Sequence, residues 1–165
     1  MWVLVDEQCG DVGKRQNRPE GRTEGHREVK FTVYGNPVQK DRPRVVNGHA
    51  FTTRKTSDHE EIIALVYKSV YHDFMFEKDA PLRMVMDFYL EIPKSATKKK
   101  RKLMMDGKIR VIKRPDVDNL QKCVADALNG VAYFDDAQIV EMVGRKHYSS
   151  RARTDVYIVV AADDE

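Results

Sequence analysis

Residues 114–139, RPDVDNLQKCVADALNGVAYFDDAQI, place five aspartates in twenty-six positions around a run of helical spacing. Leu120, Val124 and Leu128 recur at the period of one helix face, and Asn129-Gly130 supplies the stop signal. The spacing predicts a helix that starts at Asp118, with that aspartate as its N-cap. Pro115 ends the extended segment before it, so Asp116 and Asp118, two residues apart, are expected to project to one side while Val117 turns inward. Asp135 and Asp136 follow a second turn, just before a strand. If three of these carboxylates converge within about 4 Å, each pair repels by ~4 kcal/mol at an effective dielectric near 20. A hard cation such as Mg²⁺, which prefers carboxylate oxygen and water, reverses that balance.

The rest of the chain has to build a scaffold for this block. Residues 6–28 are rich in Gly, Arg, Glu and Gln and hold one apolar residue, Val12, so residues 1–28 read as a disordered tail. Order is expected from 29 to 162. VKFTVYG alternates as a strand and ends at Gly35. Asn47-Gly48 marks a hairpin with Val45–Val46 and Ala50–Phe51 on its arms. From Ser57 to about Phe76, apolar residues at 62, 63, 66, 67, 70 and 74 predict a helix, with Ser57 as N-cap and Glu60 completing a capping box. LRMVMDFYLEI, between Pro81 and Pro93, reads as a long strand. KSATKKKRKLMMDGK reads as a short basic helix capped by Ser95 and ended by Gly107. QIVEMVGRKHYS and TDVYIVVA lie either side of a turn around Ser149–Arg153, which predicts that these two strands pair antiparallel. Strands and helices in this order give a single α+β domain, with helices packed on a mixed or antiparallel sheet.

Other readings of the acidic block fit less well. An EF-hand loop lacks its third acidic position and its turning glycine, and IKRP is a poor strand for a haloacid-type phosphatase. Lys122 lies four residues after Asp118, on the same helix face, with Asp126 a turn further on. As a plain i,i+4 salt bridge it contributes only a few tenths of a kcal/mol. Beside a metal, its ammonium instead neutralises charge building on a pentacovalent phosphate. Asn119 is placed to orient a carboxylate or a metal-bound water, or simply to cap.

The block resembles the signature of the RusA family of Holliday junction resolvases, P-D-x-D-N-L-x-K, then D-A-L-N-G, then D-D-x-Q-I. The resemblance extends upstream to GNPVQKDRPR, similar to the family's G-x-P-x-x-K-x-R-x-R loop, and downstream to Lys146 in GRKHYSS. It covers roughly residues 30–160. It implies a homodimeric, Mg²⁺-dependent endonuclease acting on four-way DNA junctions. Metal ligands would lie at Asp116, Asp118 and Asp136, and a catalytic lysine at Lys122, with one or two ions per site. Asp135 is the reserve ligand, because neighbours at a strand entrance point opposite ways. KIRVIKRPD lacks the His-Thr often found before the first aspartate, and residues 1–28 have no counterpart.

Charge distribution bears on what such a site would hold. The net charge is only +3, yet positive residues cluster in 94–114 and negative ones in 116–141. A site of three carboxylates repels DNA, so surrounding cations must bind the phosphates. The candidates are Lys98, Lys99, Lys100 and Arg101, with Lys94 and Lys102; Lys40, Arg42 and Arg44; and Arg145 with Lys146. Tyr133 and Phe134 serve as junction wedges or as core. Cys9 and Cys123 match neither a disulfide framework nor a zinc spacing, which favours a reducing, cytoplasmic setting. No apolar run approaches the roughly 20 residues of a membrane span. The competing classes are a metal nuclease for flaps or RNA, and a non-catalytic nucleic-acid-binding module.

Overall fold

A computed structural model describes residues 27–161, apart from 42, 43, 47, 48 and 52. The expected tail lies outside the described residues except for Arg27 and Glu28, and Glu28 already opens the first strand. The elements run β1 (Glu28–Tyr34), β2 (Arg44–Val46), β3 (His49–Phe51), α1 (Arg54–Tyr71), β4 (Leu82–Glu91), α2 (Lys98–Met105), α3 (Val117–Leu128), β5 (Ile139–Ser149) and β6 (Arg153–Val160). Strands β2 and β3 form the expected small hairpin, Val45 opposite Ala50; its Asn47-Gly48 turn is outside the described residues.

Period-two alternation gives the main sheet one apolar face. Val29, Phe31 and Val33, Met84, Met86 and Phe88, and Val156 and Ile158 are all buried on it. Helix α1 lays Ile63, Val66 and Tyr67 on that face, and α3 adds Leu120, Val124 and Leu128, all in one core. The opposite face is polar and partly internally neutralised. Asp87 meets His147 at 2.8 Å and Arg145 at 3.6 Å, and Arg153 bonds Asp155 at 3.2 Å.

The four strands are ordered β1-β6-β4-β5. This corrects the expected pairing of the last two strands, because β4 lies between them, parallel to β5 and antiparallel to β6. The reason lies in burial. Leu82, Met84, Met86 and Phe88 are the deepest run of apolar residues in any strand, and a central position covers them on both sides. Residues 150–152 carry the chain past the end of β4, where Ile92 N–H donates to Ser149 O at 3.2 Å.

Helix boundaries also differ from expectation. Helix α1 starts at Arg54 with Thr53, not Ser57, at the N-cap. The Thr53 hydroxyl donates to Asp41 at 2.7 Å, and Glu60 is used in an ion pair rather than a capping box. The helix stops at Tyr71 because His72 turns to φ 55°, so Phe74 and Phe76 pack against each other from the following loop. Helix α2 is capped by Thr97 rather than Ser95, since Ser95 falls within a preceding turn closed by Ala96 N–H to Pro93 O. Gly107 follows α2 at φ 70°, the left-handed geometry that its missing Cβ permits.

Candidate active site at the start of the third helix

Helix α3 is capped by Asp116, two residues earlier than its sequence suggests, and Asp118 sits inside the first turn. The two carboxylates therefore flank the first helical residue rather than alternating along a strand. Both are exposed, and Val117 between them packs on the core as expected. Neither carboxylate makes a hydrogen bond or ion pair among the described residues, and Asp116 does not even bond to its own helix's N–H groups. Lys122 is exposed too and forms no ion pair among the described residues, so the i,i+4 bridge to Asp118 is not made. A helix N-terminus favours negative charge, which suits both aspartates.

Two flanking contacts hold this helix end. The Lys40 N–H donates to Asn119 O at 2.9 Å, tying the loop after β1 to the first turn of α3. On the other side, Lys146 Nζ donates to Lys113 O at 3.0 Å and to Pro115 O at 2.9 Å, the carbonyls just before Asp116. Asn119 takes part through its backbone; its side chain makes no bond to a carboxylate among the described residues. Further along, Gly144 of β5 lies against Gln121, where a Cβ would come within 2.7 Å of the glutamine side chain. A glycine there lets α3 approach the edge strand closely.

The second acidic pair stands elsewhere. Asp135 Oδ1 accepts from Ala137 N–H at 2.9 Å and caps a short 3-10 turn, Asp136–Gln138. Gln138 braces the same turn: its Oε1 accepts from Phe134 N–H at 2.8 Å, and its Nε2 donates to Glu77 O at 2.8 Å. Asp136 is exposed, and its pKa is raised chiefly by a hydrogen bond to Asp135, while Asp135 is lowered mainly by its bond from the Ala137 N–H. This turn follows the C-terminus of α3, and twelve helical residues at ~1.5 Å rise span ~18 Å. The expected convergence of three carboxylates within one chain is not formed: among the described residues, no three metal-ligating side chains are grouped closely enough to hold an ion. The donor set still suits a hard cation at Asp116 and Asp118, which offer exposed carboxylate oxygens with no competing partner among the described residues.

The expected cations divide sharply. Lys98, Lys99, Lys100, Arg101 and Lys102 are exposed on α2 and unpaired among the described residues, while Met104 anchors the helix to the protein. Lys94 is exposed as well. Lys108, Arg110, Lys113 and Arg114 belong to no motif that would single them out, yet all four are exposed along the segment that runs directly into Asp116. Their signal is simply their density before the first aspartate. Lys40 has another partner set. Its ammonium lies between Glu60 and Asp126, 2.8 Å from the latter, with its side chain only 19% exposed. Burial alone would lower its pKa, but the hydrogen bonds to Asp126 and Glu60 outweigh that and raise it. Arg145 and Lys146 alternate onto opposite faces of β5, so they do not form one patch; Arg145 pairs with Asp87. Arg42 and the Arg44 side chain are outside the described residues.

The aromatic pair separates too. Tyr133 is fully buried and donates to Ala125 O at 2.6 Å, whereas Phe134 is 53% exposed. Glu141 is a surface strand residue paired with Arg83 at 3.0 Å. Cys123 is free and buried, its thiol pushed up to about 12 mainly by desolvation. No helix among the described residues is long and apolar enough to cross a membrane.

Comparison with known proteins gives the family. The family model for the endodeoxyribonuclease RusA matches residues 34–159, which takes in every described strand and helix apart from β1, where it reaches only Tyr34, and the last residue of β6. The chain is also 38% identical over 136 residues to the uncharacterized protein YqaN of Bacillus subtilis (strain 168), covering 79% of this chain and 94% of that protein. The chain belongs to the RusA endodeoxyribonuclease family, whose members are nucleases acting on branched DNA junctions.

Proposed function

We propose that this family member is a Mg²⁺-dependent, homodimeric resolvase that cuts four-way junctions by paired symmetric nicks during DNA recombination and repair. The observation that carries the reading is the start of α3. There Asp116, Asp118 and Lys122 are exposed and unpaired among the described residues, and the exposed cations of 108–114 lead directly into Asp116.

In this reading Asp116 and Asp118 are metal ligands. Asp136 is the third, because the carboxylate of Asp135 is committed to capping its turn. The reading requires Asp136 to be brought to the pair in the assembled, DNA-bound enzyme. Bound there, one or two Mg²⁺ ions would lower the pKa of a water and offset charge at the phosphate and the leaving 3′ oxygen. Lys122 neutralises the charge that builds on the phosphorane-like transition state, a contribution available only to a cation not already bridged. The cations of α2, with Lys108, Arg110, Lys113 and Arg114, hold phosphates against a centre that would otherwise repel them.

A four-way junction has approximate two-fold symmetry, and a C2 dimer places two identical sites in that relation. The test is a supercoiled plasmid that extrudes a cruciform, with flap, duplex and RNA substrates assayed in parallel. Paired cuts within one binding event give linear product directly, dependent on Mg²⁺. Nicked circles as the main product, from a protein that is monomeric by light scattering, would contradict the resolvase reading. Preferential cutting of flaps or RNA would reassign the substrate, and binding without cutting would leave a non-catalytic module.

A further inference from the structure

Lys146 lies on β5 opposite Phe88 of β4, and Phe88 is buried in the core. Register partners share a face, so Lys146 points to the helix side of the sheet, away from Arg145 and His147. On that side it meets no carboxylate among the described residues. Its ammonium donates instead to Lys113 O at 3.0 Å and Pro115 O at 2.9 Å. Residues 110–116 belong to no helix or strand, and backbone carbonyls in such a segment otherwise depend on water or on neighbouring groups. One ammonium satisfies two of them at the last residues before Asp116.

From this geometry we infer that Lys146 is a positioning residue: it fixes the segment 113–115 against β5 and so sets where the Asp116 carboxylate stands relative to Asp118 and Lys122. This rests on the hydrolytic reading of the α3 start. It assigns Lys146 a role other than the phosphate contact that its charge suggests. Two of its three donor N–H groups are already used internally, at ordinary hydrogen-bond lengths. The chemistry follows from placement. A carboxylate ligand displaced by about 1 Å costs on the order of 10²-fold in rate, without any change in the cations that hold DNA.

The experiment compares wild type, K146M and K146R. Methionine keeps the unbranched apolar stem and removes every donor; arginine keeps donors for both carbonyls. Single-turnover cleavage of a four-way junction is measured at saturating enzyme across a Mg²⁺ titration, beside junction affinity at several salt concentrations. For K146M the cleavage rate is expected to fall roughly 10–100-fold, and the Mg²⁺ requirement to rise. Junction affinity and its salt dependence stay as in wild type, and K146R recovers the rate to within about threefold. Amide hydrogen exchange at 113–118 quickens in K146M while the rest of α3 keeps its protection. If K146M does not fold, K146L, which likewise removes every donor, takes its place with the same expectations.

An unchanged rate at saturating enzyme overturns the inference. So does a loss confined to affinity, with a salt slope shallower by about 0.9 log unit, which would make Lys146 a phosphate contact. Wild type that fails to cut any junction is a different failure: it removes the hydrolytic reading itself, whereas the exchange data still report on the anchoring.

Discussion

Two charge clusters on the third helix use the same residue types in opposite ways. Around Lys40, a lysine and two carboxylates, Glu60 and Asp126, are drawn together and largely shielded from solvent. At the start of α3, Asp116, Asp118 and Lys122 are exposed and make no pair among the described residues. The first cluster has spent its electrostatics on joining the loop after β1 to α1 and α3. The second leaves its charges without partners among the described residues, which is what the proposed metal and phosphate binding requires. Charge count alone does not separate a structural cluster from a functional one; whether the charges are already satisfied does.

The contrast can be broken by mutation. The largest effect is expected at the open end. Asp118→Asn should lower single-turnover junction cleavage by roughly 10³-fold or more if, as proposed, the several kcal/mol of metal charge stabilisation depends on that carboxylate. Junction binding should survive or tighten, because one negative charge near the phosphates is gone. Incision by this variant at a substantial fraction of the wild-type rate would remove Asp118 from the metal site.

Lys122→Ala comes next. A loss on the order of 10²-fold in cutting rate, with little change in thermal melting, marks a group acting on the transition state. A normal rate with slightly lower stability would instead make Lys122 an ordinary surface cation.

The paired cluster should respond in stability. Lys40→Met leaves Glu60 and Asp126 facing each other without their cation, which is expected to cost about 1–3 kcal/mol by urea unfolding, discounted from a fully buried pair for partial exposure. The sign with pH follows from its raised pKa. The folded protein holds this proton more tightly than the unfolded chain. The ammonium's contribution is therefore complete below the ordinary value of 10.5 and fades as pH rises through the higher folded value. Wild type should lose this part of its stability above about pH 10.5, and the variant should have none of it to lose. The salt dependence of junction binding should be unchanged by Lys40→Met if the residue is a pin and not a phosphate contact.

The smallest effect is expected on α2. Replacing Lys98, Lys99 and Lys100 with Ala should weaken binding and flatten its salt dependence by roughly 0.9 log unit for each phosphate no longer neutralised. An unchanged slope would show that this helix faces solvent in the complex.

These differences also show what sequence could and could not convey. Period-two alternation in β1 and the Leu120, Val124, Leu128 stripe marked faces that are buried, because burial imposes those periods. The position of β4 between β5 and β6 was not legible, since hydrophobic alternation gives a strand's faces but not its neighbours. Helix starts slipped at Ser57, Ser95 and Asp118 because several residues competent to cap stand close together, and tertiary bonds such as Thr53 to Asp41 choose among them. The motif residues Asp116, Asp118 and Lys122 were legible as a candidate site, and the structure leaves all three exposed. The commitment of Lys40 to Glu60 and Asp126, and of Lys146 to two carbonyls, was not, since both depend on partners at least 20 residues away in sequence.

The proposed hydrolysis depends first on cation binding by Asp116 and Asp118, which are unpaired among the described residues. Titration of Mg²⁺ into the protein by calorimetry, beside the Asp116→Asn/Asp118→Asn double variant, tests it most directly. The wild type is expected to bind Mg²⁺ saturably in the presence of non-cleavable junction DNA. The double variant is expected to lose that binding while melting within a few degrees of wild type, because relief of like-charge repulsion offsets the lost attraction to the helix N-terminus. Equal Mg²⁺ binding by both proteins would contradict the account.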